Sequence, residues 1–162
     1  GGGICAAANL LRWLALHAEL DVVECSEHSV DPFPDDGRTV PWGTGATVSW
    51  PRQDLRIVAR DQLTYQWRLD LADGFLRGRL LAERTPRYAY VVHERDAGFL
   101  LVDGVPWRRN EIWRTAHEVR TGRLCGDTLL FRNQARTAYP PPVLGPVAAL
   151  PAEPLVLPSP RQ

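Results

Sequence analysis

The sequence predicts a single α+β domain, with one N-terminal helix packed on a mostly antiparallel β-sheet and a disordered proline-rich C-terminal tail. Three observations lead to this class. An early run rich in alanine and leucine has helical periodicity, and later segments alternate between β-type runs and Asp-Gly turns. Eight of the residues in 140–162 are proline, a composition typical of disorder. We therefore expect a folded domain over residues 1–139 and a tail over 140–162.

The predicted helix covers residues 5–20, where alanine and leucine, both strong helix formers, dominate. Apolar side chains recur there at spacings of three, four and seven residues, which indicates one buried helix face. The residues of this stripe are Leu10, Trp13, Leu14 and His17. Residues 1–3 are all glycine and are expected to form a loop before the helix, because glycine favours turns.

A series of short strands is predicted after the helix. Val22 and Val23 indicate a strand that ends at Glu24, and the proline- and glycine-rich residues 29–45 indicate an ordered loop. The further predicted strands are residues 46–50, 55–60, 64–70, 75–82, 88–94, 99–102 and 128–132. Asp-Gly pairs at 73–74 and 103–104 predict hairpin turns. Residues 111–120 fit neither the helical nor the strand period and remain open.

Charge and composition argue against two classes of protein, those that bind nucleic acids and those that span a membrane. The 19 basic residues, all arginine, are balanced by 19 acidic ones and are spread along the chain, which argues against a nucleic-acid partner. No run of about 18 apolar residues occurs, so no membrane span is expected. The chain has no methionine and begins with glycines, and we therefore expect it to be an N-terminally truncated piece of a longer protein.

Cys5 is one candidate reactive residue, because the start of a helix favours a thiolate. His28 in the polar loop would be its base in a peptidase or amidase. The alternative is that Cys5 is a small buried hydrophobic residue. Cys25 and His28 form only a single pair of zinc-type ligands, so neither a metal site nor a cofactor is expected. The odd cysteine count of 3 argues against a disulfide framework.

A dense polar cluster after the first strand is the second candidate site. It consists of Glu24, Glu27, His28, Ser29 and Asp31. If Glu24 ends the strand inside a partly apolar cleft, its pKa would be raised and it could protonate a glycosidic oxygen. His28 could orient it or carry a second proton, and Arg38 could pair with Asp31 or Asp35. The alternative is a turn-rich loop whose side chains cap backbone groups.

These motifs resemble the VanW family, and the resemblance covers nearly all of residues 1–140. It rests on Gly1 to Cys5, Asn9-Leu10, Trp13, Val23-Glu24, His28-Ser29, Asp31, Phe33 to Asp35, Arg38-Thr39, Pro41, Gly43, Gly45 to Thr47, Asp54-Leu55, Arg109 to Ile112, Asn133 and Tyr139-Pro140. The family is named for an accessory protein of vancomycin-resistance gene clusters, and many members belong to multidomain envelope proteins. The resemblance therefore implies a cell-envelope location and peptidoglycan or its fragments as the partner.

The activity implied by the resemblance is glycan cleavage of the lytic-transglycosylase type. Glu24 would be the general acid/base, supported by His28, and one carboxylate suffices because the hydroxyl of the substrate itself attacks. The implied substrate-binding residues are Cys5, Asn9, Ser29, Asp31, Arg38 and Thr47.

Two positions depart from the family pattern: Ala6 stands where a glutamine is usual, and Cys25 where an arginine is usual. Two alternatives therefore stay open. One is a non-catalytic module that binds the cell wall or a partner, and the other is a peptidase or amidase that uses Cys5 and His28.

Overall fold

The computed structural model describes residues 2–27, 29–35 and 37–141. This part of the chain contains one helix, α1 (Gly2–Leu16), and eight strands. The strands are β1 (Leu20–Glu24), β2 (Val30–Asp31), β3 (Arg56–Ala59), β4 (Tyr65–Ala72), β5 (Phe75–Ala82), β6 (Tyr88–Val102), β7 (Val105–Glu118) and β8 (Leu124–Thr137). The α+β class is confirmed, whereas His28 and nearly all of the predicted tail lie outside the described residues.

Helix α1 begins earlier and ends earlier than predicted. Gly2 and Gly3 belong to its first turn and not to a loop, where the backbone N–H groups have no partner within the helix in any case. At the other end, His17 N and Ala18 N donate to the carbonyl oxygens of residues three positions back, at 3.1 and 3.0 Å. This tighter turn ends the helix, and Leu20 joins β1 instead.

The strands form one four-stranded sheet and two antiparallel pairs. In the larger sheet the order is β2-β8-β7-β6, with β2 parallel to β8 and the other neighbours antiparallel. Strands β4 and β5 form a hairpin, and β1 pairs with β3 across a long connection. Both predicted Asp-Gly turns are confirmed, because Asp73 and Asp103 each have a positive φ and each is followed by a glycine of positive φ.

Several predicted strand boundaries were wrong. The predicted strands 88–94 and 99–102 form one strand, β6, with an irregularity between Arg95 and Gly98 where Asp96 has a φ of 49°. Residues 111–118, ambiguous in sequence, belong to β7. Residues 46–50 form no strand, because a turn in which Ser49 O accepts from the backbone N–H groups of Arg52 and Gln53 interrupts the backbone. Strand β2 was missed, since it lies inside the predicted loop.

The core lies where α1 meets the larger sheet. Its buried members are Leu16, Val92 and Ile112, and the side chains packed around them are Trp13, Val22, Leu130 and Phe131. On another side of α1, the β4–β5 hairpin approaches closely at Gly78, where an added Cβ would lie 2.8 Å from the Leu10 side chain. The helix therefore packs on both the sheet and the hairpin. No helix in the described part is long and apolar enough to cross a membrane.

Candidate functional site

The connection between β1 and β3, residues 25–55, carries most of the predicted site residues and is bound to α1 by Arg12. The Arg12 guanidinium donates to Gly43 O at 3.2 Å and to Gly45 O, and it pairs with Glu27 at 2.7 Å. Arg12 is only 3% exposed. Because a buried cation is costly unless its N–H groups are satisfied, these contacts fix the connection against the helix.

Asn9 holds the same connection from a neighbouring position on α1. Its Oδ1 accepts a hydrogen bond from Ala46 N at 2.6 Å. An added Cβ at Gly45 would lie 2.9 Å from this oxygen, so the close approach favours glycine there. One residue further, Thr47 N donates to Ser26 O at 2.8 Å. Asn9 and Thr47, both predicted to bind substrate, thus make contacts that shape the connection.

A charged cluster, in which Arg108 and Asp31 are buried, joins the connection to the larger sheet. Arg108 of β7 donates to both carboxylate oxygens of Asp35, at 2.7 and 2.5 Å, and lies 3.4 Å from Asp31. The Tyr139 hydroxyl donates to Asp31 at 2.7 Å. As predicted, Arg38 pairs with one of the two aspartates, and that residue is Asp35, at 2.7 Å.

The cluster shifts the titration of its members. Burial raises the pKa of Asp35, but the hydrogen bonds and charge of Arg108, followed by those of Arg38, outweigh it, so the net pKa is lowered. For Tyr139, burial and then the hydrogen bond to Asp31 raise the pKa to about 12. The carboxylate form of Asp35 and the neutral form of Tyr139 therefore persist across the physiological pH range.

Two asparagines hold the turn that precedes Gly43. Asn110 donates to Trp42 O at 2.8 Å and to Glu94 at 2.5 Å, while Asn133 donates to the same carbonyl at 3.3 Å and to Asn110 at 2.7 Å. Gly43 has a φ of +78°, and an added Cβ would overlap the Asn133 amide. The turn needs glycine for both reasons. Most motif residues of this region are thus structural.

Glu24 is the last residue of β1 and does not lie in the apolar cleft that we expected. Its side chain is 47% exposed and faces Arg56 of β3, with a separation of 3.5 Å between the charged groups. Ser29, next to the predicted His28, is also exposed. Because His28 lies outside the described residues, no geometry relates it to Glu24 or to Cys5.

The cysteines are free thiols. Cys5 is half-buried in the first part of α1, with its Sγ 3.8 Å from Val48 O. Burial raises the pKa of Cys25, and the charge of Arg12 offsets this only partly. Within the described ranges, no three His, Cys, Asp or Glu side chains are grouped so that they could hold a metal ion.

An apolar groove of about 730 Å³ lies between α1, β3, β4 and residues 48–55. We call it the apolar groove. Its lining includes Ile4, Ala8, Leu11, Leu55, Ile57 and Leu69. Arg56, the partner of Glu24, does not line the groove although Leu55 and Ile57 do, because successive side chains of a strand point to opposite faces. Trp50, 93% exposed, lies in the turn that precedes the lining residues Asp54 and Leu55 in sequence. Neither Cys5 nor Glu24 lines this groove, although Cys5 contacts Val48, which does.

The periodicity of α1 contains a second apolar stripe, which indicates the groove. Ile4, Ala8 and Leu11 have spacings of four and seven residues, and they form a second apolar stripe beside the one that packs in the core. A helix with two apolar faces needs two partners. The buried polar residues Arg12, Arg108 and Asn110 were also missed, because polar residues are usually exposed.

The fold and site together define an α+β domain whose β1–β3 connection is fixed to helix and sheet by buried arginine and asparagine side chains. Residues 1–81 match the family described as VanW like protein, and these residues are half of the 162 in the chain. The chain therefore belongs to the VanW-like protein family, which confirms the resemblance found in its motifs.

One curated relative carries a functional name: the "Vancomycin B-type resistance protein VanW" of Enterococcus faecalis (strain ATCC 700802 / V583). It is 29% identical over 142 residues, which are 88% of this chain and 52% of the relative. The chain thus spans about half the length of that protein. No solved structure matches.

Proposed function

We propose that this chain is a peptidoglycan-directed domain of the cell envelope, and that it binds wall fragments in the apolar groove. The ligand class is supported by the relationship to a vancomycin-resistance protein, since vancomycin is an antibiotic directed against cell-wall assembly. The site is supported by the groove itself, because ligand sites are concave, mostly apolar and carry a few polar groups.

The single observation that carries this proposal is the composition of the groove and its border. The volume of about 730 Å³ is that of a ligand site, and most lining side chains are aliphatic or aromatic. Asp54 supplies a charge in the lining, and the exposed ring of Trp50 is close to Asp54 in sequence. Wall fragments combine methyl groups, sugar rings and charged groups, which suit such a surface.

Glycan cleavage with Glu24 as general acid/base is a second candidate function. The observation that favours it is the accessible carboxylate of Glu24 at the end of β1, which pairs with Arg56 at 3.5 Å. In a lytic transglycosylase reaction the acid protonates the glycosidic oxygen, and as base it removes the proton from the substrate hydroxyl that attacks the anomeric carbon. The product would be an anhydro-sugar, and no water would be consumed.

A matched pair of variants tests binding in the groove. Leu69 and Leu71 lie two residues apart on β4, both are exposed, and only Leu69 lines the groove. Purified peptidoglycan should sediment the wild-type chain and Leu71→Glu but not Leu69→Glu, because a carboxylate in the groove would disfavour apolar contact. Equal sedimentation of both variants would exclude the groove, and no sedimentation of the wild type would overturn the proposal.

Mass analysis of the supernatant tests the catalytic candidate in the same samples. Anhydro-muropeptides that disappear with Glu24→Gln would support glycan cleavage, and equal product from that variant would remove Glu24 from the mechanism. Freed peptides that disappear after thiol alkylation would instead select chemistry at Cys5. Binding without any product would identify a non-catalytic module.

A further inference from the structure

A second cavity lies beyond the C-terminal end of α1, at the end of the β1–β3 pair opposite to Glu24. It has a volume of about 250 Å³ and is lined by Glu19, Arg60, Asp61, Pro86, Arg87 and Tyr88. None of these residues belongs to the charged cluster around Arg108 or lines the apolar groove. The cavity therefore needs an explanation of its own.

Two carboxylates that accept hydrogen bonds from tyrosines line this cavity, those of Glu19 and Asp61. Glu19 accepts a hydrogen bond from the Tyr90 hydroxyl through Oε2, and Asp61 accepts one from the Tyr65 hydroxyl at 2.9 Å. Leu63 N donates to the other oxygen of Asp61 at 3.2 Å. The second oxygen of Glu19 has no hydrogen-bond partner among the described residues. The tyrosines thus position two anions and leave one oxygen available for a ligand cation.

A cation that contacts an aromatic ring, Arg87, also lines the cavity. The Arg87 guanidinium is 5.1 Å from the centroid of the Tyr88 ring, and no carboxylate pairs with it in the described part of the chain. Stacking on a ring leaves the N–H edge of a guanidinium free for a carboxylate. Arg60, by contrast, is already paired with Asp21. Arg87 is therefore the cation that a ligand could use.

We propose that this cavity binds the zwitterionic head of an α-amino acid, with its ammonium on Glu19 and Asp61 and its carboxylate on Arg87. A ligand with only an ammonium would meet the repulsion of Arg87, and a ligand with only a carboxylate would meet that of the two acids. A head group that carries both charges pairs with the two acids and with Arg87. The volume of about 250 Å³ suits a group of this size.

The head group has two natural sources, a free amino acid and a wall peptide. The diaminopimelate of a peptidoglycan stem peptide carries an ammonium and a carboxylate together at the end of its side chain, while a stem-peptide lysine carries the ammonium alone. The inference that the head group belongs to a wall peptide rests on the proposed function. The inference that the cavity binds a zwitterionic head group does not depend on it.

Titration of the 162-residue chain with three soluble probes tests the inference. The probes are free meso-diaminopimelate, a monomeric muropeptide that contains it, and the matching lysine muropeptide. We expect saturable binding of the first two and binding of the lysine form at least about tenfold weaker, because a charge pair is lost. Tighter binding of the diaminopimelate muropeptide than of the free amino acid identifies the wall as the source, and equal binding identifies the free amino acid.

Two variants locate the site independently. Glu19→Gln keeps an oxygen for Tyr90 but removes the charge, and Arg87→Gln changes an exposed side chain. Each should weaken diaminopimelate binding by at least about tenfold, whereas Arg84→Gln, a neighbouring exposed arginine, should not. Unchanged binding in both variants, equal affinity for the two muropeptides, or no binding of any probe would overturn the proposal.

The outcome is separable from that of the proposed function. Peptidoglycan sedimentation that depends on Leu69, together with no binding of diaminopimelate, would remove only this cavity. Binding of free diaminopimelate by a chain that does not sediment with peptidoglycan would leave the cavity and remove the wall-directed function.

Discussion

Arg108 donates two hydrogen bonds to the carboxylate of Asp35, at 2.7 and 2.5 Å, although the two residues are 73 positions apart in sequence. Arg108 lies on β7, an inner strand of the larger sheet. The two-point contact therefore orients the β1–β3 connection with respect to the sheet. Because the apolar groove is bordered by the other half of that connection, its shape depends on the same anchoring.

Asp35→Asn should reduce stability in a pH-dependent way. The pKa of Asp35 is lower in the folded chain than its ordinary value of 3.8, so its carboxylate contributes stability above that value, and the contribution disappears as pH falls through the lower folded pKa. The side chain is 49% exposed, and we expect a loss of only about 1 kcal/mol at pH 7. Urea unfolding at pH 7, 5, 4 and 3 measures it, with Asp70→Asn as an exposed control.

The difference between wild type and Asp35→Asn should be constant from pH 7 to about 5 and should shrink below about 4. A difference that grows as the solution becomes more acidic would contradict the assigned direction of the pKa shift. The Asp70→Asn control should show no comparable dependence.

Arg108→Ala should be far more damaging than Asp35→Asn. The Arg108 side chain is 7% exposed and that of Asp31 is 3% exposed, so removing the guanidinium leaves a buried carboxylate without its cation. Such a loss costs about 3–5 kcal/mol. Arg108→Lys keeps the charge but cannot make both hydrogen bonds to Asp35, and it should restore only part of the stability. Denaturant midpoints compare the three chains, and equal midpoints for Ala and wild type would refute the anchoring.

A comparison of Gly43→Ala with Gly122→Ala distinguishes the cost of steric overlap with a neighbouring side chain from the cost of backbone strain. Both glycines have positive φ, +78° and +70°, but an added Cβ meets the Asn133 amide at position 43 and nothing within 4 Å at position 122. Strain alone costs about 1 kcal/mol, which is the expectation for Gly122→Ala. Gly43→Ala should cost at least about 2 kcal/mol, since the asparagines must also move. Thermal unfolding of both variants provides the comparison, and equal losses would exclude the overlap.

The local sequence pattern was sufficient to predict the helix and the hairpins. It was insufficient to predict the buried face of β7, the strand that carries Arg108. The side chains of Arg108, Asn110, Ile112 and Arg114 alternate with less buried ones along β7, and all four are buried. Three of these four are polar, so hydrophobic alternation could not reveal which face of the strand points inward. Their partners, Asp35 and Trp42 among them, are distant in sequence, and a single chain contains no direct signal for such pairs.

The contacts at the candidate site also divide into pairs that are local in sequence and pairs that are distant. The Asp35–Arg38 pair is local, three residues apart, and was within reach of the sequence. The exposure of Glu24 could not be predicted from the sequence. It depends on where β3 and Arg56 lie after a connection of about thirty residues. The acids of the predicted cluster have separate partners, since Glu24 pairs with Arg56, Glu27 with Arg12 and Asp31 with Arg108. The apolar groove forms only in the tertiary structure.

Cys25 should react with a thiol reagent more slowly than Cys125. Burial raises the pKa of Cys25, so less of it is thiolate at pH 8, whereas Cys125 is exposed. We expect a difference of at least about tenfold in labelling rate, measured by the mass of labelled peptides over time. In urea the two rates should converge because burial is lost, and equal rates in the folded chain would contradict the burial of Cys25.

Trp50→Ala should weaken wall binding without changing stability. The Trp50 side chain is 93% exposed, so its removal should change the free energy of unfolding by less than about 0.5 kcal/mol. If a wall fragment covers about 50 Å² of the ring, the lost contact is worth about 1 kcal/mol, or roughly five-fold in affinity. Phe75→Ala is the control, because Phe75 is an exposed aromatic residue at the start of β5, distant in sequence from the lining residues Asp54 and Leu55. Both variants are compared by sedimentation with peptidoglycan over a range of protein concentrations, and the same affinity in both would show that the fragment does not contact Trp50.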